Sequence, residues 1–161
     1  MMTYIRYLIA GILILFLHLL IVPLIAIEKI PPDLMLILVV YIALKNGQIA
    51  GSVAGFLAGL LIDFLVDFTP GISALSKTIS GFVAGYFYDE KKVEINTETL
   101  RFPGIVLFCS VINNLIYFFP EIFAQEFNKF EISKVILARA LYTTILSLIP
   151  LFTISRKFKA L

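Results

Sequence analysis

Apolar residues in this chain come in long blocks, and the blocks leave little room for any fold but a bundle of membrane helices. Six segments can be marked, at about Tyr7–Ile27, Pro31–Leu44, Gln48–Val66, Ile72–Tyr88, Phe102–Phe119 and Val135–Ile154. At 1.5 Å per residue most of them approach the length needed to cross a hydrocarbon core about 30 Å thick. The apolar residues AVILMFWYC make up 60% of 161 residues and the charged residues 15%. Soluble domains sit near about 45–50% and about 25%. The surplus has to face something other than water. The expectation is an all-α, polytopic bundle of about six transmembrane helices, forming one transmembrane domain over residues 1–161.

The breaks between segments are equally informative. Pro31-Pro32-Asp33 suits the first turn of a helix, where proline loses no hydrogen bond and an acid meets the positive end of the dipole. The helix it opens reaches only about 20 Å, so it must be a thin span, a tilted partner or a re-entrant piece. Asp67-Phe68-Thr69-Pro70-Gly71 reads as a tight turn, and Pro120 closes the fifth segment. Asp89 to Arg101 mixes charges and reads as a surface loop. Glu121 to Lys134 alternates charges with Phe123, Phe127 and Phe130, as an interfacial helix would. Met1 to Arg6 leads into an apolar run without a small-residue cleavage site, which reads as a retained first span.

The basic residues set an orientation. Arg6, Lys45, Lys91, Lys92, Arg101, Arg156, Lys157 and Lys159 fall on one side, and Lys29, Lys129 and Lys134 on the other. The excess of positive charge marks the cytoplasmic side, which puts both termini there. The same placement removes nucleic acid as a partner, since the net charge is only +2 and the cations flank apolar blocks. Cys109 is the one cysteine, so neither a disulfide within the chain nor a paired-thiol metal site can form, and a buried inert thiol is expected. His18 stands alone in an apolar helix, as a packing residue does. No cofactor is called for.

Two features carry the functional reading. Gly51, Gly55 and Gly59 recur every four residues, with Ala50, Ala54 and Ala58 alongside, and Gly81 and Gly85 answer from the next segment. Small residues at that spacing let helix backbones approach closely in lipid. The first use of such a seam is packing within the bundle, and the second is contact with a partner or another copy of the chain. The other feature is polarity inside the spans: Asp33, Asp63, Asp67, Lys77, Asn113, Asn114 and Arg139 fall toward the outer half of the membrane. A charge there is costly unless paired. Asp63 is expected to pair with Lys77 across the short turn, or with Arg139, so that the cluster pins helices together, forms an outer polar pocket or docks a partner. A proton or ion relay is disfavoured, since no chain of carboxylates crosses the membrane.

Gly59-x-x-x-Asp63-x-x-x-Asp67 matches the back half of the metal-binding motif of membrane CDP-alcohol phosphotransferases. The upstream helix offers only Asp33, so the acids of the front half that would hold two metal ions are missing. Ser73, Ser76 and Ser80 have no histidine base nearby in sequence. The chain is therefore not expected to be an enzyme.

The run from Pro31 to Tyr88 resembles the bacterial rod shape-determining protein family MreD. The resemblance is carried by Pro32-Asp33-Leu34, Tyr41, Gly47, the Gly51/Gly55/Gly59 ladder ending in Asp63, then Pro70-Gly71, Ala74, Lys77 and Gly81. It implies a non-enzymatic inner-membrane scaffold of the cell-elongation machinery. The implied partners are the single-span MreC, the actin-like MreB, the glycosyltransferase RodA and a class B penicillin-binding protein. The family also looks like the six-helix S components of energy-coupling-factor vitamin transporters, and such an S component is the alternative function. The A-x-x-x-A docking patch of those transporters is missing, since Ala10 is followed four residues on by Ile14.

Overall fold

The computed structural model describes residues 2–25, 30–67, 71–123 and 129–158, and what it describes is helical from end to end apart from short connections. The helices are α1 (Met2–Ile25), α2 (Leu34–Asn46), α3 (Gln48–Ile62), α4 (Ile72–Ala84), α5 (Val93–Glu98), α6 (Arg101–Tyr117), α7 (Phe119–Phe123) and α8 (Lys129–Phe158). A π-helical turn, Asp63–Asp67, prolongs α3, and a 3-10 turn, Gly85–Phe87, prolongs α4. Six of these match the apolar segments of the sequence. One stretch differs from expectation. The polar stretch after Tyr88 contains α5, which docks back on the bundle: the Asn96 amide donates to the Phe87 carbonyl (2.7 Å) and Thr97 is buried. Of the stretch 121–134, expected as an interfacial helix, residues 124–128, Phe127 among them, lie outside the described residues. Its described parts are the end of α7 and the start of α8.

Among the described residues two helical stretches, Gln48–Leu65 and Phe130–Pro150, are long and apolar enough to cross a membrane. Leu34–Asn46 and Arg101–Tyr117 are apolar but shorter. Large apolar side chains cover the outside, among them Ile9, Leu13, Phe16 and Leu20 on α1, Val53 and Leu57 on α3. An outer surface of this kind is stable against lipid, where apolar contact costs nothing, and the fold is that of a helical membrane protein.

The short helix α2 is the axis of the bundle. Seven of its 13 residues are buried, and they face two ways. Leu36, Val40, Ala43 and Leu44 pack with Ala84 of α4 and with Phe102, Ile105, Val106 and Cys109 of α6. Met35 and Val39 pack with Ala58 and Ile62 of α3, backed by Ile14 and Leu15 of α1. Beside this axis α3 and α4 run antiparallel at very close range. A methyl group at Gly55 would strike the Lys77 carbonyl, at Gly59 the backbone of Ala74, and at Gly85 the backbone of Gln48. Gly51 and Gly81 face each other, each against the other's carbonyl oxygen. With only hydrogens between the backbones, the two helices gain dispersion contacts that lipid cannot match. The alanine row Ala50, Ala54 and Ala58 lies one residue round α3 and lines a different space. It borders an apolar groove of about 280 Å³ shared with Gly11 of α1 and Met35 and Leu38 of α2.

Candidate functional site

The polar residues within the helices fall into two constructions. The first begins at Asp33, the N-cap of α2. Its Oδ1 accepts from the Leu36 backbone N–H (3.0 Å), satisfying one of the free amides that open any helix. Its Oδ2 accepts from Lys77 Nζ at 2.6 Å, and both side chains are only 2% exposed. The Asp33 backbone N–H donates to Thr143 Oγ1 of α8 (3.0 Å), whose hydroxyl donates in turn to the Arg139 carbonyl (2.9 Å). Thr143 lies thirteen residues into the stretch Phe130–Pro150, about 20 Å along the axis at 1.5 Å per residue. Helix α2 therefore begins inside the bundle, with a capped and ion-paired N-terminus where an isolated helix would be at its most polar. His18 of α1 is also buried, and both it and Arg139 are near enough to act electrostatically on Asp33.

The second construction is the cap of α4. Asp63 accepts from three backbone amides across the turn: Gly71 (2.9 Å), Ser73 (3.0 Å) and Ala74 (3.0 Å). Gly71 takes a φ of +100°, which L side chains seldom adopt, so the turn depends on glycine there. The expected pairing of Asp63 with Lys77 or Arg139 is not the one formed. The orphan N–H groups at the start of α4 attract a carboxylate by hydrogen bonding and by the helix dipole, and Asp63 is held there. Lys77, more than one turn further along α4, is left to Asp33. Asp67 ends the π-helical turn, and its side chain lies outside the described residues.

Asn113 and Asn114 are buried on α6 at 1% and 0% exposure. The Asn114 amide reaches the Ile136 carbonyl of α8 at 3.5 Å, while Oδ1 of both asparagines and Oγ of Ser110 have no hydrogen-bond partner. Arg139 of α8 lies by the end of α6. Its guanidinium carbon lies 5.0 Å from the ring centre of Tyr117 and 6.0 Å from that of Phe118. From sequence, Ser73, Ser76 and Ser80 are weighed only as nucleophiles, and Thr143 and Ser147 are not singled out. Ser73, Ser76 and Ser80 of α4 and Thr143 and Ser147 of α8 are all fully buried. Ser80 donates to the Cys109 carbonyl of α6 (3.3 Å), tying α4 to α6. The three-and-four spacing of these residues was a legible signal of one shared helix face.

Chemically, the arrangement joins helices. Asp33 links α2, α4 and α8; Asp63 links α3 and α4; Ser80 and Asn114 link α6 to its neighbours. Among the described residues no three His, Cys, Asp or Glu side chains come together to hold a metal ion. At the far end of the bundle the α4–α6 connection is exposed. There the Asp89 carboxyl is held below its usual range by the Lys91 backbone N–H and the Lys92 ammonium.

A family model described as rod shape-determining protein MreD matches residues 1–158. No curated protein and no solved structure matches the chain.

Proposed function

Since the chain belongs to the MreD family of rod shape-determining membrane proteins, we propose that it is a non-enzymatic scaffold of the cell-elongation machinery in the bacterial inner membrane. In this reading it holds an MreC-like single-span protein and helps organise RodA, a class B penicillin-binding protein and MreB into one assembly. The family match over nearly the whole chain is the observation that carries it. The use of the buried charges agrees, because each carboxylate of the polar constructions is spent on helix capping or ion pairing.

The topology proposed with it has six crossings, α1, α2, α3, α4, α6 and α8, and both termini in the cytoplasm. The α3–α4 turn and the α6–α8 connection then face outward. Asp33, Asp63, Lys77, Asn113, Asn114 and Arg139 lie toward that side and form the proposed outer partner site, to which Asp67 is assigned from sequence. The glycine seam Gly51, Gly55, Gly59, Gly81 and Gly85 is assigned to packing within the chain and not to a homodimer, because its surface is filled by the facing helix.

The test is to extract the protein gently from its native membrane and identify the chains that co-purify. MreC in stoichiometric amount is the expected result. An ATP-binding cassette energy module together with a bound vitamin would replace the scaffold reading with the transporter one.

A further inference from the structure

Arg139 is the charged group of the bundle interior that the contacts described above leave without a counter-ion. A guanidinium carries five N–H donors, and among the described residues none of them is used. Its Nε is sealed from solvent without a hydrogen-bond partner, and the residue as a whole is half-buried. Among the described residues, the carboxylates of the two polar constructions are committed elsewhere, Asp33 to Lys77 and Leu36, and Asp63 to the amides of α4. Glu131, two turns back along α8, is exposed and pairs with Lys134 at 3.0 Å. Arg139 lies within the apolar stretch Phe130–Pro150. A cation in that setting is disfavoured unless an anion meets it, which makes it a binding site by default.

The surroundings say which anion. Helical side chains lean toward the N-terminus of their own helix, and Arg139 does so, reaching to Tyr117 and Phe118 where α6 ends. Tyr117 and Phe118 meet edge to face with ring centres 5.1 Å apart, an aromatic pair of the kind found where hydrocarbon gives way to headgroups. The anion abundant at that level is phosphate. The two rings lie against the guanidinium and steady it, and its free donors form the planar fork that suits two phosphate oxygens at once. Its flanks on α8 are lipid-facing, with Leu137 and Leu141 both exposed. We propose that Arg139, steadied by Tyr117 and Phe118, binds the phosphate of an anionic phospholipid whose chains lie along α6 and α8. This rests on the bundle's being membrane-embedded and not on which proteins it scaffolds.

The isolated protein in detergent is titrated with phosphatidylglycerol, phosphatidylcholine and inorganic phosphate, reading retained lipid by native mass spectrometry and the thermal midpoint in parallel. Phosphatidylglycerol should be retained and should raise the midpoint, as any ligand of the folded state does. Inorganic phosphate, lacking acyl chains, should shift nothing. Arg139→Gln should weaken phosphatidylglycerol binding about tenfold or more, the worth of a charge-assisted contact. Arg139→Lys, which keeps the charge and safeguards folding, should weaken it about threefold by losing the planar fork. Lys134→Gln, on an exposed turn of the same helix, should change it less than about twofold. Equal retention by the wild type and either Arg139 variant overturns the proposal. So does equal retention of phosphatidylcholine, or a midpoint shift from inorganic phosphate as large as that from the lipid. Co-purification of MreC is read on the native complex, so either result can fail while the other stands.

Discussion

At the scale of single residues the bundle depends on where its few charges meet. Asp33 and Lys77 are 44 positions apart and form a 2.6 Å pair with almost no exposure. Removing one member leaves the other charged and unpaired, which costs about 3–5 kcal/mol in buried sites. Lys77→Ala should therefore lower the thermal midpoint in detergent sharply, and Lys77→Glu more so, since it sets a second carboxylate beside Asp33. Asp33→Asn keeps an N-cap side chain, so the double variant Asp33→Asn with Lys77→Met should melt closer to the wild type than Lys77→Met alone. Strict additivity of the two single effects would show that they do not couple. The sequence marked both residues as intramembrane charges but assigned Lys77 the wrong acid. Proximity along the chain favoured Asp63, and the missing consideration was that the open amides of α4 compete for a carboxylate and prevail.

At the scale of elements, most of what the structure shows was legible. Proline, glycine and charge breaks placed the six long helices, because a helix in lipid has to satisfy its own backbone and end where polar residues resume. The four-residue glycine repeat pointed to a close contact, and α3 and α4 have one. Gly55→Ala places a methyl group against the Lys77 carbonyl and should cost about 1–3 kcal/mol through forced separation of the helices. Gly104, exposed in the first turn of α6 with open space around it, is the control. Gly104→Ala should be neutral or stabilising by up to about 1 kcal/mol. Thermal scans of the two variants side by side check the contrast, and equal losses would mean that the seam is slack. Helix α5 was not legible, since its six residues are too few for a periodic pattern. Nor was the central place of α2, because an apolar helix reads alike from sequence whether lipid or other helices surround it.

At the scale of the whole molecule, orientation is the part that charge counting proposes. Cys109 is fully buried, so Cys109→Ser gives a quiet background for labelling introduced thiols. Lys92 and Glu131, with side chains 57% and 62% exposed, are suitable sites on the two faces. In cells with a permeabilised outer membrane, an impermeant maleimide should label Glu131→Cys, and Lys92→Cys only after the inner membrane is opened. The reverse pattern would put the termini outside. The long-range ion pair also has a consequence for biosynthesis. Asp33 leaves the ribosome 44 residues ahead of Lys77, an interval of about 2–9 seconds at about 5–20 residues per second. During that time the carboxylate at the leading end of α2 lacks the cation it pairs with in the folded bundle. The native surroundings of α2 are therefore complete only once α4 has been made, well after α2 itself.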